Sequence, residues 1–135
     1  MPVHIQIHDG LIKGAFHAKL TTEDLQRLQV TLRDIEARLE VTPDRIADLT
    51  ESDVSDLSSE ALVLFAESRR AAVFKNKVKS AIVVPKASVQ YGLARMFMAH
   101  NANPDIEIKI FYDYASAYDW LGRETKPSTN PIPKT

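Results

Sequence analysis

The sequence predicts an α/β domain with a mixed sheet, in which an antiparallel hairpin at the amino terminus is followed by mostly parallel strands. Three observations predict this class. Residues 3–16 alternate around an Asp-Gly pair, residues 81–84 are continuously apolar, and apolar side chains recur at helical spacing between the predicted strands. The predicted order is ββαβαβαβα, with right-handed crossovers between the parallel strands.

The first two strands are predicted from an alternation that agrees across a turn. Residues 3–8 place apolar side chains on one face and polar side chains on the other. Asp9 and Gly10 both tolerate positive φ, as a two-residue hairpin turn requires. This turn predicts three cross-strand pairs: Val3 with Phe16, Ile5 with Gly14, and Ile7 with Ile12.

The first helix is predicted to begin at residues 21–24, because a hydroxyl cap is followed three positions later by an acid. Its inward face is predicted from apolar residues three and four apart: Leu25, Leu28, Leu32, Ile35 and Leu39. Residues 46–49 then predict a short strand, and residues 50–56 predict an acidic loop.

A second helix is predicted to begin between residues 56 and 59. Its predicted inward face comprises Leu57, Ala61, Leu64, Phe65 and Ala72. The apolar run at residues 81–84 predicts a central parallel strand that ends at Pro85. A third helix is predicted over residues 88–100, with an inward face made up of Val89, Leu93, Met96 and Phe97.

The last strand and helix are predicted over residues 106–110 and 113–122. The isoleucines of the strand alternate with charged residues, which indicates one solvated face. Asp113 caps the helix in this prediction, and Gly122 ends it. Residues 1–122 therefore predict a single domain. Residues 123–135 hold three prolines and no core pattern, which predicts a disordered tail.

Composition excludes several classes of function. The chain of 135 residues has a net charge of −1, whereas a general nucleic-acid or anionic-membrane binder needs a basic surplus. The absence of cysteine excludes disulfides, thiolate nucleophiles and Cys-ligated metals. The sequence contains no recognisable leader and no apolar run near the length of a membrane span, so we expect a cytoplasmic protein.

No pattern in the sequence predicts catalysis or metal binding. A nucleophile elbow, a P-loop and a Gly-rich dinucleotide motif are all lacking. His4 and His8 lie about 13 Å apart along one strand, too far to share a zinc ion. His4 and His17 would be diagonal neighbours in the hairpin, at about 7–8 Å, without a third ligand. We therefore expect no metal, no cofactor and no enzymatic activity.

Charge is distributed unevenly along the chain. Six acids and one arginine lie between residues 44 and 60, and five bases without an acid lie between residues 69 and 79. Bases at the end of the second helix complement the negative end of its dipole. We therefore expect these charged side chains to lie in solvent at the ends of helices and strands. The alternative is complementary docking on a partner or on a second copy of the chain.

Polar and aromatic residues follow the predicted parallel strands, whose carboxyl ends should converge at one edge of the sheet. Open α/β sheets bind ligands at that edge. A lysine and two tyrosines there are typical of interfaces, although the tyrosines could equally pack half-buried. The predicted binding edge consists of Asp48, Thr50, Ser52, Lys86, Ser88, Tyr112 and Tyr114.

Four sequence segments of the later half carry a family resemblance through their order. Residues 80–85 read SAIVVP, residues 91–97 read YGLARMF, residues 108–113 read IKIFYD, and residues 117–121 read AYDWL. With the order of elements, they resemble the SpoIIAA-like branch of the STAS superfamily over about residues 3–122. STAS domains are known as non-enzymatic interaction modules, and this branch is also similar in fold to CRAL-TRIO lipid-transfer domains.

The resemblance implies a candidate site of phosphorylation. Some STAS domains are switched by phosphorylation of a serine in the pattern DSSGL. This pattern stands at the start of the helix that follows the third strand. Here residues 56–60 read DLSSE, which puts Ser58 and Ser59 at a similar place. A phosphate there would gain about 0.3–1 kcal/mol from the helix dipole, while the neighbouring acids would repel it. The other interpretation is that one serine only caps the helix.

The leading hypothesis is a STAS-like module that docks a regulatory protein partner through the strand-end loops and the second helix. Ser58 or Ser59 would be its control point, and we also expect a homodimer. The alternative is a carrier of a small apolar or lipid-like ligand. Its pocket would lie between helices and sheet, near Phe65, Met96, Phe97 and Met98. These residues have helical spacing and could equally fill the core.

Overall fold

The strands and helices follow the predicted order. The computed structural model describes residues 3–123, and the elements alternate within them as ββαβαβαβα. In chain order they are β1 (Val3–His8), β2 (Leu11–Lys19), α1 (Thr22–Arg38), β3 (Asp44–Asp53), α2 (Ser59–Arg70), β4 (Val78–Val83), α3 (Val89–His100), β5 (Ile106–Phe111) and α4 (Tyr114–Trp120).

The five strands form one mixed sheet in the order β1-β2-β3-β4-β5. β1 is antiparallel to β2, and each later pair of neighbours is parallel. The predicted fold class is therefore confirmed. Residues 124–135 of the predicted disordered tail lie outside the described residues. Arg123, which the prediction also placed in the tail, donates hydrogen bonds to the carbonyls of Asp9 and Gly10.

The amino-terminal hairpin has the predicted register. The three expected pairs are present: Val3 with Phe16, Ile5 with Gly14, and Ile7 with Ile12. Asp9 and Gly10 have φ angles of 52° and 72°, the left-handed conformation that a tight hairpin turn needs. The local alternation and the turn chemistry therefore sufficed to predict this part of the sheet.

Helix α1 begins with the predicted cap. The hydroxyl of Thr21 accepts a hydrogen bond from the backbone N–H of Asp24 at 3.2 Å, and the Asp24 carboxylate accepts one from the Thr21 N–H at 2.9 Å. The predicted apolar stripe of the helix is buried from Leu25 to Ile35. Glu36, at the end of the same stripe, is also buried, which the apolar spacing alone did not predict.

Strand β3 is longer than predicted. A short strand over residues 46–49 and a loop over residues 50–56 were expected, but the strand runs to Asp53. β3 pairs with β4 only as far as Asp48, and its second half pairs with β2 up to Lys19. Backbone hydrogen bonds to β2 hold the polar second half extended, and no apolar pattern in the sequence reveals that pairing.

The predicted inward face of α2 is partly wrong. Leu64 was expected inside but is 62% exposed, whereas Leu62, Ala66 and Arg69 are buried. Phe65 and Leu57 do pack against the core as predicted, although Leu57 precedes the helix, and Ala72 lies beyond its end. Residues 61–66 are continuously apolar, so several faces were equally plausible from spacing. Packing against the sheet selects the face that contains Arg69.

The predicted inward face of α3 also needs correction. Val89 was expected inside but is 68% exposed, and the buried residue of the helix is Ala94. Leu93 and Phe97 are partly buried against the core, as predicted. Val89 has the same four-residue spacing as Leu93 and Phe97, so spacing alone did not distinguish its exposed side chain from theirs.

Helices α1, α2 and α3 cover one face of the sheet, and α4 covers the other. Ile12 packs with α1 and with Phe65 and Leu93 of the next two helices, while its neighbour Leu11 packs with α4. Arg45 lies opposite Ile12, and Ser80 lies opposite Arg45 in the parallel register. Both polar residues therefore lie on the face that the three helices cover.

Candidate functional site

Asp48 and Tyr114 of the predicted binding edge meet at the carboxyl end of the sheet. The Tyr114 hydroxyl donates to one oxygen of the Asp48 carboxylate at 2.7 Å. The other oxygen accepts from the N–H and the hydroxyl of Thr50, at 2.9 and 2.6 Å. Burial raises the pKa of Tyr114, and the hydrogen bond to Asp48 adds to the rise. These contacts tie the first turn of α4 to β3.

A group of rings and cations also lies at this end of the sheet, and we call Lys86, Tyr91, Arg95 and Tyr112 the tyrosine–cation patch. Tyr91 is partly buried against the core, and the other three are exposed. The ring centroids of Tyr91 and Tyr112 are 6.1 Å apart. Lys86 lies 5.7 Å from the Tyr112 ring centre, and Arg95 donates to the Tyr91 hydroxyl at 2.9 Å. The sequence predicted Lys86 and Tyr112 and missed the other two. Their four-residue spacing on a helix was the available signal.

The two serines of the predicted edge are hydrogen-bonded within the chain. The Ser52 hydroxyl is buried and donates to the Leu49 carbonyl at 2.7 Å. The Ser88 hydroxyl donates to the Pro85 carbonyl at 2.6 Å and accepts from the Tyr91 N–H at 3.1 Å, which caps α3. Both hydroxyls therefore stabilise local structure at the strand ends.

Ser58 caps α2, as the capping interpretation of the two serines predicted. Its hydroxyl accepts from the Ala61 N–H at 3.0 Å, and Ser59 is the first helical residue. Acidic groups surround this helix start. Asp56 lies 3.7 Å from Lys19, and hydrogen bonds from Ser55 lower the pKa of Asp53. The exposed hydroxyls remain predicted phosphoacceptors in a negatively charged neighbourhood.

The histidines do not form a metal site within the described chain. The rings of His4 and His17 stack, with centroids 4.9 Å apart and an interplanar angle of 22°. Among residues 3–123, no group of three or more His, Cys, Asp or Glu residues is arranged to hold a metal ion.

A cavity of about 140 Å³ lies between the sheet and helices α1, α2 and α3. Its wall is mostly apolar and includes Ile12, Phe16, Leu28, Phe65, Leu93 and Phe97. Phe65 and Phe97, which the sequence placed at a pocket, stack on each other with ring centroids 5.7 Å apart. The other two predicted pocket residues, Met96 and Met98, do not line the cavity.

One end of the cavity is polar. Arg45 and Ser80 are register neighbours near the amino ends of β3 and β4. Arg69 lies in the last turn of α2, and Asn101 is the residue that ends α3. All four side chains line the cavity, and all four residues are buried. The polar end therefore lies opposite the predicted binding edge, at the amino ends of the parallel strands.

Glu36 joins the two arginines of this polar end, and we call Glu36, Arg45 and Arg69 the buried ion network. One carboxylate oxygen of Glu36 accepts from Nη1 of Arg45 at 2.9 Å and also from Nη2 of Arg69. Both guanidinium groups lie near the ring of Phe74, at 5.4 and 5.8 Å from its centre. Burial lowers the pKa of Arg45, and the bond to Glu36 opposes that effect.

The buried ion network leaves hydrogen-bonding capacity unused. Within residues 3–123, Nε of Arg45 and Nη1 of Arg69 have no acceptor, and Oδ1 of Asn101 has no donor. Leaving a buried polar group unpaired costs about 1–3 kcal/mol, and native interiors contain few of them. The sequence interpretation placed Arg69 at a solvated helix end, which is wrong. The spacing of Arg69 from Leu62 and Ala66 was the signal for its inward position.

The fold is SpoIIAA-like, as a comparison with solved structures shows. An uncharacterized protein from the DUF3478 family of Shewanella loihica, described as having a SpoIIAA-like fold, is similar with a TM-score of 0.57. The two chains are 24% identical, over 88% of this chain and 91% of the other. At this identity the likeness establishes the fold alone. No protein-family profile matches the chain, and no curated protein matches it.

None of the helices within residues 3–123 combines the length and the apolar character that a membrane crossing requires.

Proposed function

We propose that this domain is a non-enzymatic binding module that holds a small apolar ligand between its sheet and helices α1, α2 and α3. The single observation that carries the proposal is the apolar cavity of about 140 Å³. An engineered cavity of about 150 Å³ in another protein binds benzene. The ligand volume expected here is therefore that of an aromatic ring or a short alkyl chain.

The energetics of packing favour an occupant. The wall is mostly apolar, and each Å² of apolar surface that a ligand covers stabilises the complex by about 25 cal/mol. The position of the cavity between helices and sheet also agrees with the carrier interpretation of the sequence.

Titration with a neutral apolar probe tests this proposal. We expect 1-octanol to bind the wild-type protein in a calorimetric titration and to raise its melting temperature. Replacing the cavity residue Ala94 with Leu should weaken binding by more than about tenfold, because the new side chain occupies ligand volume. The matched control is Val89→Leu on the exposed side of the same helix. Equal binding by all three proteins, or no binding by the wild type, would refute the proposal.

The tyrosine–cation patch favours a second function, docking of a regulatory protein partner at the carboxyl edge of the sheet. Aromatic residues and arginine are enriched at interfaces, and this patch combines the exposed Tyr112 and the half-buried Tyr91 with a lysine and an arginine. A partner with carboxylates around an apolar centre would complement it. Ser58 and Ser59 lie at the start of α2, which follows the carboxyl end of β3, so their phosphorylation would add negative charge at this edge.

A comparison of captured partners tests the second function. Tyr112→Ala should abolish capture of a specific partner, whereas Tyr118→Ala, a change in α4, should leave it intact. Ser58→Asp should change the amount captured if this position is a control point. Identical capture by the wild type and Tyr112→Ala would show that the patch is not the docking surface.

A further inference from the structure

We propose that the ligand of the cavity is an amphipathic carboxylate, whose anionic head binds Arg45 and Arg69 and whose apolar part fills the rest of the cavity. This inference rests on the proposed function, because it names the ligand class for the same cavity. It follows from the charge of the buried ion network, from its unused donors, and from the separation of polar and apolar walls.

The buried ion network is not electrically neutral. The buried ion network contains two guanidinium groups and one carboxylate, so it holds one excess positive charge inside the protein. The charge of Asp44 also attracts Arg45, but its carboxylate accepts from the Lys79 N–H at 2.8 Å and makes no hydrogen bond to either arginine. A buried excess charge is unfavourable unless a counter-ion compensates it. A monoanion would bring the network to neutrality.

Both arginines of the network retain unused hydrogen-bond donors. Arg69 is 4% exposed and Arg45 is 8% exposed, and each has an N–H without an acceptor among residues 3–123. The Glu36 carboxylate already accepts from both arginines with one oxygen, so the two guanidinium groups lie close enough to share an anion. The planar donor fork of arginine matches the two oxygens of a carboxylate. The buried hydroxyl of Ser80 and the amide of Asn101 line the same end.

The cavity has a polar end and an apolar wall. The polar residues lie at the amino ends of β3 and β4 and at the ends of α2 and α3, while the remaining wall is almost entirely apolar. A ligand with polar groups along its length would leave them unpaired against that wall. A ligand with one charged end and an apolar body of ring or short-chain size satisfies both parts of the cavity.

The test compares two probes of similar length, octanoate and 1-octanol, by calorimetric titration of the whole chain at neutral pH. We expect octanoate to bind the wild type about tenfold to a hundredfold more tightly, because its carboxylate bonds to charged donors. Ala94→Leu should weaken both probes. If octanoate still binds that variant at full strength, it binds at surface cations and the inference is wrong.

Arg69→Gln isolates the contribution of the charge. This change leaves Arg45 and Glu36 as a neutral pair, so the variant should fold, which circular dichroism will check. We expect octanoate to lose at least about tenfold in affinity while 1-octanol is unchanged. Arg70→Gln is the matched control, because its side chain is the exposed neighbour on the same helix. Arg45→Gln leaves Arg69 and Glu36 as a neutral pair, and it is the substitute variant if Arg69→Gln does not fold.

The outcomes separate the two proposals. Equal affinity of the wild type for both probes would overturn the carboxylate inference and leave the apolar cavity proposal standing. Binding of neither probe would overturn both. A preference for octanoate that persists in Arg69→Gln and in Arg45→Gln would show that another group selects the anion, which also contradicts the inference.

Discussion

The polar residues at the two ends of the parallel strands differ in burial and in hydrogen bonding. At the carboxyl ends, the side chains of Asp48, Thr50 and Tyr114 bond to one another near the surface. At the amino ends, Arg45 and Arg69 are buried and retain N–H groups without an acceptor within residues 3–123. Solvent can complete hydrogen bonds at the first end but has little access to the second.

This difference shows which polar groups indicate a binding site. An unpaired polar group costs little where water reaches it and about 1–3 kcal/mol where it is buried. The polar residues at the carboxyl edge are therefore explained by local capping and by ties between elements. The buried ion network is not explained in that way, and this distinction supports a ligand role for the amino end.

The largest expected effect is at Glu36. Glu36→Gln leaves two buried arginines without a counter-ion, and we expect the free energy of unfolding to fall by about 3–5 kcal/mol. Arg69→Gln leaves a neutral pair and should lower it by about 1 kcal/mol. Urea denaturation measures both. The control is Asp34→Asn, which breaks an exposed ion pair with Arg38 and should change stability little. Equal losses for the first two variants would contradict an excess buried cation.

The next largest effect is a difference in stability between leucine substitutions at two buried alanines on opposite faces of the sheet. Ala81 packs tightly against α4, so Ala81→Leu should lower the free energy of unfolding by about 1–3 kcal/mol. Ala94 borders the cavity, so Ala94→Leu should raise it by about 1 kcal/mol. Thermal and urea denaturation check this sign difference. A loss of similar size at both positions would mean that the cavity cannot accept added atoms.

A smaller effect is expected at the carboxyl edge. Tyr114→Phe removes the hydrogen bond to Asp48 and should lower the free energy of unfolding by about 1 kcal/mol. Because the pKa of Tyr114 is raised in the folded protein, its neutral form stabilises the native state. Stability should therefore fall as pH rises above about 10, where the unfolded chain ionises first. The decrease in the free energy of unfolding that ionisation of Tyr114 causes at alkaline pH should be absent in Tyr114→Phe. It should be present in the control Tyr112→Phe.

The smallest effect separates the two interpretations of the serines. Ser58→Ala removes the cap of α2 and should lower the free energy of unfolding by about 1 kcal/mol, while Ser59→Ala should change it by a few tenths. Ser58→Asp should retain near-wild-type stability because aspartate also caps helices. Intact-mass measurement of protein from its native source tests phosphorylation directly. A modified Ser58 in that protein would establish that the capping hydroxyl is also a phosphoacceptor.

The sequence by itself determined the order of elements, the hairpin register and the caps at Thr21 and Asp113. These features depend on residues that are near one another in the chain: an alternation, an Asp-Gly turn, or a hydroxyl or carboxylate before an apolar stripe. The sequence also placed Lys86 and Tyr112 at one edge of the sheet, where the two side chains do lie together. Binding of a partner at this edge stays a prediction.

Only the tertiary structure decided which charges are buried. Glu36 lies nine residues from Arg45 and 33 residues from Arg69, on three separate elements. A charged side chain can be buried when a partner from elsewhere in the chain compensates it, and local spacing does not identify that partner. The same reason applies to the second half of β3, which stays extended because β2 pairs with it. The cavity likewise forms only where three helices and the sheet come together.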